Sequence, residues 1–80
     1  LDDIRRRLST LTPRERQLIP LICNGEPNKM IANHLHLSMK TVFKHRASLI
    51  EKMAAANTAD LVRLLSIAQN HGLLAEPYEF

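Results

Sequence analysis

Apolar and polar residues recur along this chain with the period of an α-helix, and no stretch alternates as a strand would. Between Asn28 and Met53 the pattern is sharpest. Ile31 and Leu35, four residues apart, share one face of a short helix. After a break at His36-Leu37, Val42, Leu49 and Met53 line the inner face of a longer helix, with His45 and Ile50 at its edge. Lys40, Phe43, Lys44 and Ala47 fall at i, i+3, i+4 and i+7 on the outer face, and Ser48 lies at its border. Ser38 is a good N-cap, so the second helix starts at Met39 or Lys40. Ala32 supplies a small residue where two helices cross, and Leu37 can plug the gap between them. The turn needs φ > 0 at His36, which predicts some strain there. Two helices joined in this way form a helix-turn-helix, which places its second helix in a major groove.

Helical patterns flank this unit on both sides. Over residues 11–24, Thr12 as N-cap, Pro13 at the first helical position and Glu15 at N3 predict a capping box. Leu18, Leu21 and Ile22 give that helix its apolar face. Pro20 removes a hydrogen bond and clashes with the Arg16 carbonyl, which predicts a kink or local break. Asn24-Gly25 stops the helix through a left-handed cap. Ala54-Ala55-Ala56 has high helix propensity and predicts that the preceding helix frays onward. Asn57 or Thr58 caps a last helix, which carries Leu61, Leu64, Leu65 and Ala68 inward and ends at Gly72. Val62 and Ile67 widen its apolar stripe beyond one core contact. At the start, residues 2–9 form a short helix with Ile4 and Leu8 on one side. The fold class is all-α with four main helices, and Leu73, Leu74, Tyr78 and Phe80 can fold back from a tail over 73–80.

Eighty residues make one small domain, whose burial is limited by its size. Hydrophobic residues are 45% of the chain, which excludes disorder. Aromatics are only 4%, so the core must be aliphatic. No apolar run is long enough for a membrane span, and LDDIRRRLS lacks the apolar centre of a signal peptide. The single cysteine, Cys23, sits among apolar neighbours and reads as a small buried hydrophobe in a reducing cytoplasm.

Net charge is +3, and its placement matters more than its size. Residues 38–53 hold Lys40, Lys44, Arg46 and Lys52 against Glu51 alone. Cations thus gather on the helix that would meet phosphate. Arg5, Arg6 and Arg7 form either a basic arm or the surface of a linker helix, and the shortness of that stretch favours the linker. His34 and His36 diverge on a helix and make no zinc pair, so no metal and no cofactor are expected. No paired carboxylates, nucleophile–base arrangement or Gly-rich phosphate loop stands out, and an enzyme is not expected.

The run LTPRERQLIPLICNGEPNKMIANHLHLSMKTVFKHRASLIEKM resembles the LuxR-type helix-turn-helix domain, the C-terminal DNA-binding part of NarL/FixJ-type response regulators. The matching pieces are LTPRE, Gly25 before Asn28-Lys29, Ile31-Ala32, Leu35, Ser38, Thr41-Val42 and His45-Arg46. They extend from about Leu11 to Leu65, and GEPNK and HRASLIEKM look closest to the FixJ branch. The resemblance implies a four-helix LuxR/GerE-like fold whose third helix, here 39–53, reads the major groove. It implies a homodimer through the last helix, with Leu61, Val62, Leu65 and Ile67 as interface candidates. It also implies a receiver domain in the same full-length protein, so residues 1–10 become a linker helix and 11–72 the DNA-binding domain. Double-stranded DNA is the expected partner, RNA polymerase a further candidate, and the bacterial cytoplasm and nucleoid the expected location. A DNA-binding domain of a quorum-sensing regulator and a helical protein–protein interaction module stay open as alternatives.

Candidate base contacts are Lys40, Phe43, Lys44 and Ala47. Candidate phosphate contacts are Thr12, Arg14, Asn28, Lys29, Thr41, Arg46 and Ser48, short donors and cations near helix starts or along the basic helix. Thr12 can instead act only as a cap, and Arg46 can instead pair with Glu15. The family often has Lys where this chain has Phe43, so the target sequence cannot be carried over.

Overall fold

The computed structural model describes residues 1–74. Five helices follow in chain order: α1 (Asp2–Leu8), α2 (Pro13–Cys23), α3 (Asn28–Leu35), α4 (Met39–Lys52) and α5 (Thr58–Asn70). The class is all-α as expected, with the short opening helix adding a fifth to the four main ones. α4 packs against α2, α3 and α5, while α5 also meets α1 and α2. One aliphatic core joins them, with Leu18, Ile19, Ile31, Val42, Leu49, Met53, Leu61 and Leu65 fully buried. Ala32 is buried and Leu37 packs partly against the core, as the helix-turn-helix requires. Among the described residues no helix is long and apolar enough to cross a membrane.

Three helix starts are capped by the side chains that the sequence offers. Thr12 accepts from the Glu15 N–H at 3.1 Å, and the Glu15 carboxylate accepts from the Thr12 N–H at 2.8 Å, closing the capping box. Ser38 accepts from the Thr41 N–H at 3.1 Å and Asn57 from the Asp60 N–H at 2.8 Å. Asp60 in turn accepts from the Ala56 N–H at 2.9 Å, which fixes the approach to α5. That bond, with Arg63 beside it, holds the Asp60 carboxyl below its ordinary range.

The ends of α2, α3, α4 and α5 share one device. Gly25, His36, Ala54 and Gly72 all take positive φ, at 76°, 55°, 54° and 68°. The residue after each donates back to a carbonyl five positions earlier: Glu26 to Leu21, Leu37 to Ala32, Ala55 to Ile50 and Leu73 to Ala68. These are Schellman ends, two of them built without glycine. The strain expected at His36 is therefore present. The onward fraying expected after Met53 is not, because α4 stops at Lys52 with Ala54 left-handed. Helix propensity loses there because Met53 and Leu61 must both reach the same core, and Ala55 packs against it.

The break expected at Pro20 is also absent: α2 runs through it to Cys23. Leu18, Ile19, Leu21 and Ile22 are all buried around Pro20, and that packing outweighs the lost hydrogen bond. Cys23 is half-buried rather than sealed, and burial raises its thiol pKa. The core extends past both expected boundaries, taking in Leu8 of α1 and Leu74 beyond α5. Arg7 donates to the Met53 carbonyl at 2.9 Å, and Arg16 to the Leu8 carbonyl at 2.7 Å. α1 is thus docked on the body. The fold-back of Tyr78 and Phe80 lies outside the described residues.

Candidate nucleic-acid interface

The site begins with how α4 is held. Glu15, on α2, is 3% exposed. Its Oε1 accepts from Lys52 Nζ at 2.8 Å as well as from the Thr12 N–H, and its Oε2 accepts a short hydrogen bond from the Ser48 hydroxyl. Burial alone would raise the Glu15 pKa. Lys52, Ser48 and the Thr12 N–H together outweigh that and lower it from 4.5 to about 2. Ser48 and Lys52 are four apart on α4, so a single carboxylate grips the helix over one turn. The sequence pointed Glu15 to the capping box and, as an alternative, to Arg46. The i, i+4 spacing of Ser48 and Lys52 was the available signal for the rest.

This grip corrects two expectations. Ser48 donates its hydroxyl hydrogen to Glu15, so it has none left for a phosphate oxygen. Arg46 does not pair with Glu15, whose acceptors go to Lys52, Ser48 and Thr12. Arg46 is half-buried and has no ion pair among the described residues, and burial lowers its pKa. It remains a cation and still wants a negative partner.

Beside the grip, the outer face of α4 is open. Lys40, Phe43, Lys44 and Ala47 are all exposed, with Phe43 51% accessible. Met39, one turn before Phe43, is 41% accessible. A helix of 14 residues spans about 21 Å, enough to lie along a groove over several base pairs. Thr12, Arg14 and Lys29 are exposed at the starts of α2 and α3, and Arg14 donates to the Gln17 side-chain oxygen at 2.9 Å. The Thr12 and Thr41 hydroxyls both act as acceptors, which leaves each with a hydrogen to donate. Asn28 is half-buried with its Oδ1 sealed and unpartnered among the described residues. That atom is an acceptor, so only the Nδ2 hydrogens could meet phosphate.

The expected dimer face needs a correction too. Leu61 and Leu65 have no accessible surface, so they belong to the monomer's core and cannot meet a partner. Val62 and Ile67 are half-buried, and Val62 leans on the core. The arginines of α1 are matched within their own helix: Arg5 to Asp2, Arg6 and Arg7 to Asp3. Among the described residues no group of His, Cys, Asp or Glu is placed to hold a metal ion.

Comparison with known proteins agrees with this geometry. Residues 9–65 match the family of bacterial regulatory proteins described as the luxR family. The transcriptional regulatory protein FixJ of Rhizobium meliloti is 48% identical over 63 residues, covering 79% of this chain and 31% of that protein. The tetrathionate response regulatory protein TtrR of Salmonella typhimurium is 43% identical over 53 residues, covering 66% of this chain and 26% of its own length. The transcriptional regulatory protein UhpA of Escherichia coli is 46% identical over 57 residues, covering 71% of this chain and 29% of its own. The chain thus spans less than a third of each of these relatives. No solved structure matches it. With a gripped basic helix on an all-α body and a family match over most of its length, the chain belongs to the luxR family of bacterial regulatory proteins, as a DNA-binding helix-turn-helix domain.

Proposed function

We propose that this chain is the output domain of a two-component response regulator, and that it controls transcription by binding a specific duplex sequence. The observation that carries this is the exposed face of α4, with Lys40, Phe43, Lys44 and Ala47 together on a helix that Glu15 anchors along one edge through Ser48 and Lys52. Lys40 and Lys44 donate to guanine O6 and N7, and Phe43 and Ala47 offer apolar contact. Thr12, Arg14, Lys29, Thr41 and Arg46 meet the phosphates, with Asn28 through its Nδ2, and these contacts fix the register. The names of the relatives, a tetrathionate response regulatory protein among them, support a receiver domain in the full-length protein. Such a domain works in the cytoplasm, on the nucleoid, within reach of RNA polymerase. Homodimerisation uses the α5 face that Val62 and Ile67 leave half open, and pairs two half-sites about one helical turn apart.

The test is titration of a labelled duplex, selected by the protein from a random pool, at several salt concentrations. Arg14, Lys29 and Arg46 are the phosphate-binding cations, so each domain should contribute a log–log slope of about −3. The Lys40→Ala/Lys44→Ala double variant should fold normally and lose the selected duplex. Affinity indifferent to salt, or a double variant that binds as well as the wild type, overturns the proposal.

A further inference from the structure

Two ridges run side by side along the open face of α4. Met39, Phe43 and Ala47, each four residues from the next, make an apolar one. Lys40 and Lys44 make a basic one beside it. Phe43 is half accessible and Met39 nearly as much, although the same helix buries Val42 and Leu49 completely. Two large apolar side chains left in water next to two lysines are an odd surface for a solvated helix. They suit a partner that is polyanionic yet carries isolated apolar points. A major groove is such a partner: its guanine acceptors face the lysines, and its one apolar feature is the C5-methyl group of thymine.

We infer that Phe43, backed by Met39, sets the sequence preference of this domain by packing on thymine methyl groups, an inference that rests on the DNA-binding function proposed above. Four residues of helix rise about 6 Å, close to two base-pair steps of 3.4 Å, so Met39 and Phe43 reach methyl groups about two steps apart. The lysine ridge then reads guanine beside them. Specificity is split between the two ridges: hydrogen bonds for guanine, apolar contact for thymine.

Replacing thymine by deoxyuridine removes that methyl group and leaves every hydrogen-bonding group of the base pair in place. The experiment takes a duplex enriched by the protein from a random pool and compares it with the same duplex in which deoxyuridine replaces thymine at the enriched positions. Thymine should be enriched at one or two positions. Wild-type affinity should fall about fourfold for each methyl group lost, which is what burying one such group is worth. The Met39→Ala/Phe43→Ala double variant should bind the two duplexes alike, and Phe43→Leu, which keeps an apolar contact, should still tell them apart. Circular dichroism confirms that both variants fold. Equal wild-type affinity for the two duplexes, no thymine among the enriched positions, or discrimination that survives in the double variant overturns the inference while leaving DNA binding standing. Failure to enrich any duplex overturns the DNA-binding function itself, and the apolar ridge with it.

Discussion

Glu15→Gln isolates the contact that positions α4. The substitution keeps the size of the side chain and an oxygen to accept from Thr12, but removes the charge that faces Lys52 and Ser48. A carboxyl lowered from 4.5 to about 2 is linked to about 3 kcal/mol of folding stability. The folded-state pKa is depressed, so that stability is complete above pH 5 and is lost as pH falls from 4.5 toward 2. Lys52 is 31% exposed and can return to water once released, so the variant should lose about 2–3 kcal/mol, below the penalty for stranding a fully buried charge. Urea unfolding followed by circular dichroism at pH 6 and at pH 2.5 measures both effects. The wild type should lead the variant at pH 6, and most of that lead should be gone at pH 2.5. A gap that stays constant across this range, or a Glu15 carboxyl that titrates near 4.5 by NMR, refutes the claim that this network holds the helix.

Three further outcomes are expected. Ala54→Gly and His36→Gly should each raise stability by about 0.5–1 kcal/mol in the same urea assay, because both positions hold an L-residue at positive φ. Gly25→Ala and Gly72→Ala should lower it by about 1 kcal/mol each; an added Cβ meets nothing within 4 Å at either glycine, so the φ angle alone decides the sign. Ile67→Glu should weaken self-association in sedimentation without changing the melting curve, since Ile67 is half-buried and outside the core cluster, and a variant that unfolds, or a wild type with no dimer at high concentration, removes α5 as the interface.

Local chemistry made most of this fold legible. The caps Thr12, Ser38 and Asn57 and the stops Gly25 and Gly72 mark α2, α4 and α5 to within a residue or two, because each satisfies backbone groups that a helix end leaves open. His36 was readable because a three-residue turn leaves the chain little choice of conformation. What the sequence hid was decided between elements. Ala54 looks like a helix residue until Met53 and Leu61 are required to share a core. Leu61 and Leu65 look like an interface because a wide stripe does not reveal which part of it the monomer covers. Glu15 reaches across 33 and 37 positions to Ser48 and Lys52, and a capping box gives no hint of partners that far away. The exposed face of Lys40, Phe43, Lys44 and Ala47 on α4 was legible for the opposite reason: it depends only on the helical period once Val42 and Leu49 are placed inside.

The most direct measurement is a titration of the 15N-labelled domain with its selected duplex, followed through backbone amide shifts. The largest changes should gather at Lys40, Phe43, Lys44 and Ala47, with smaller ones at the starts of α2 and α3. Changes confined to α1 or α5, with the amides of α4 unmoved at saturation, would show that DNA meets a different face.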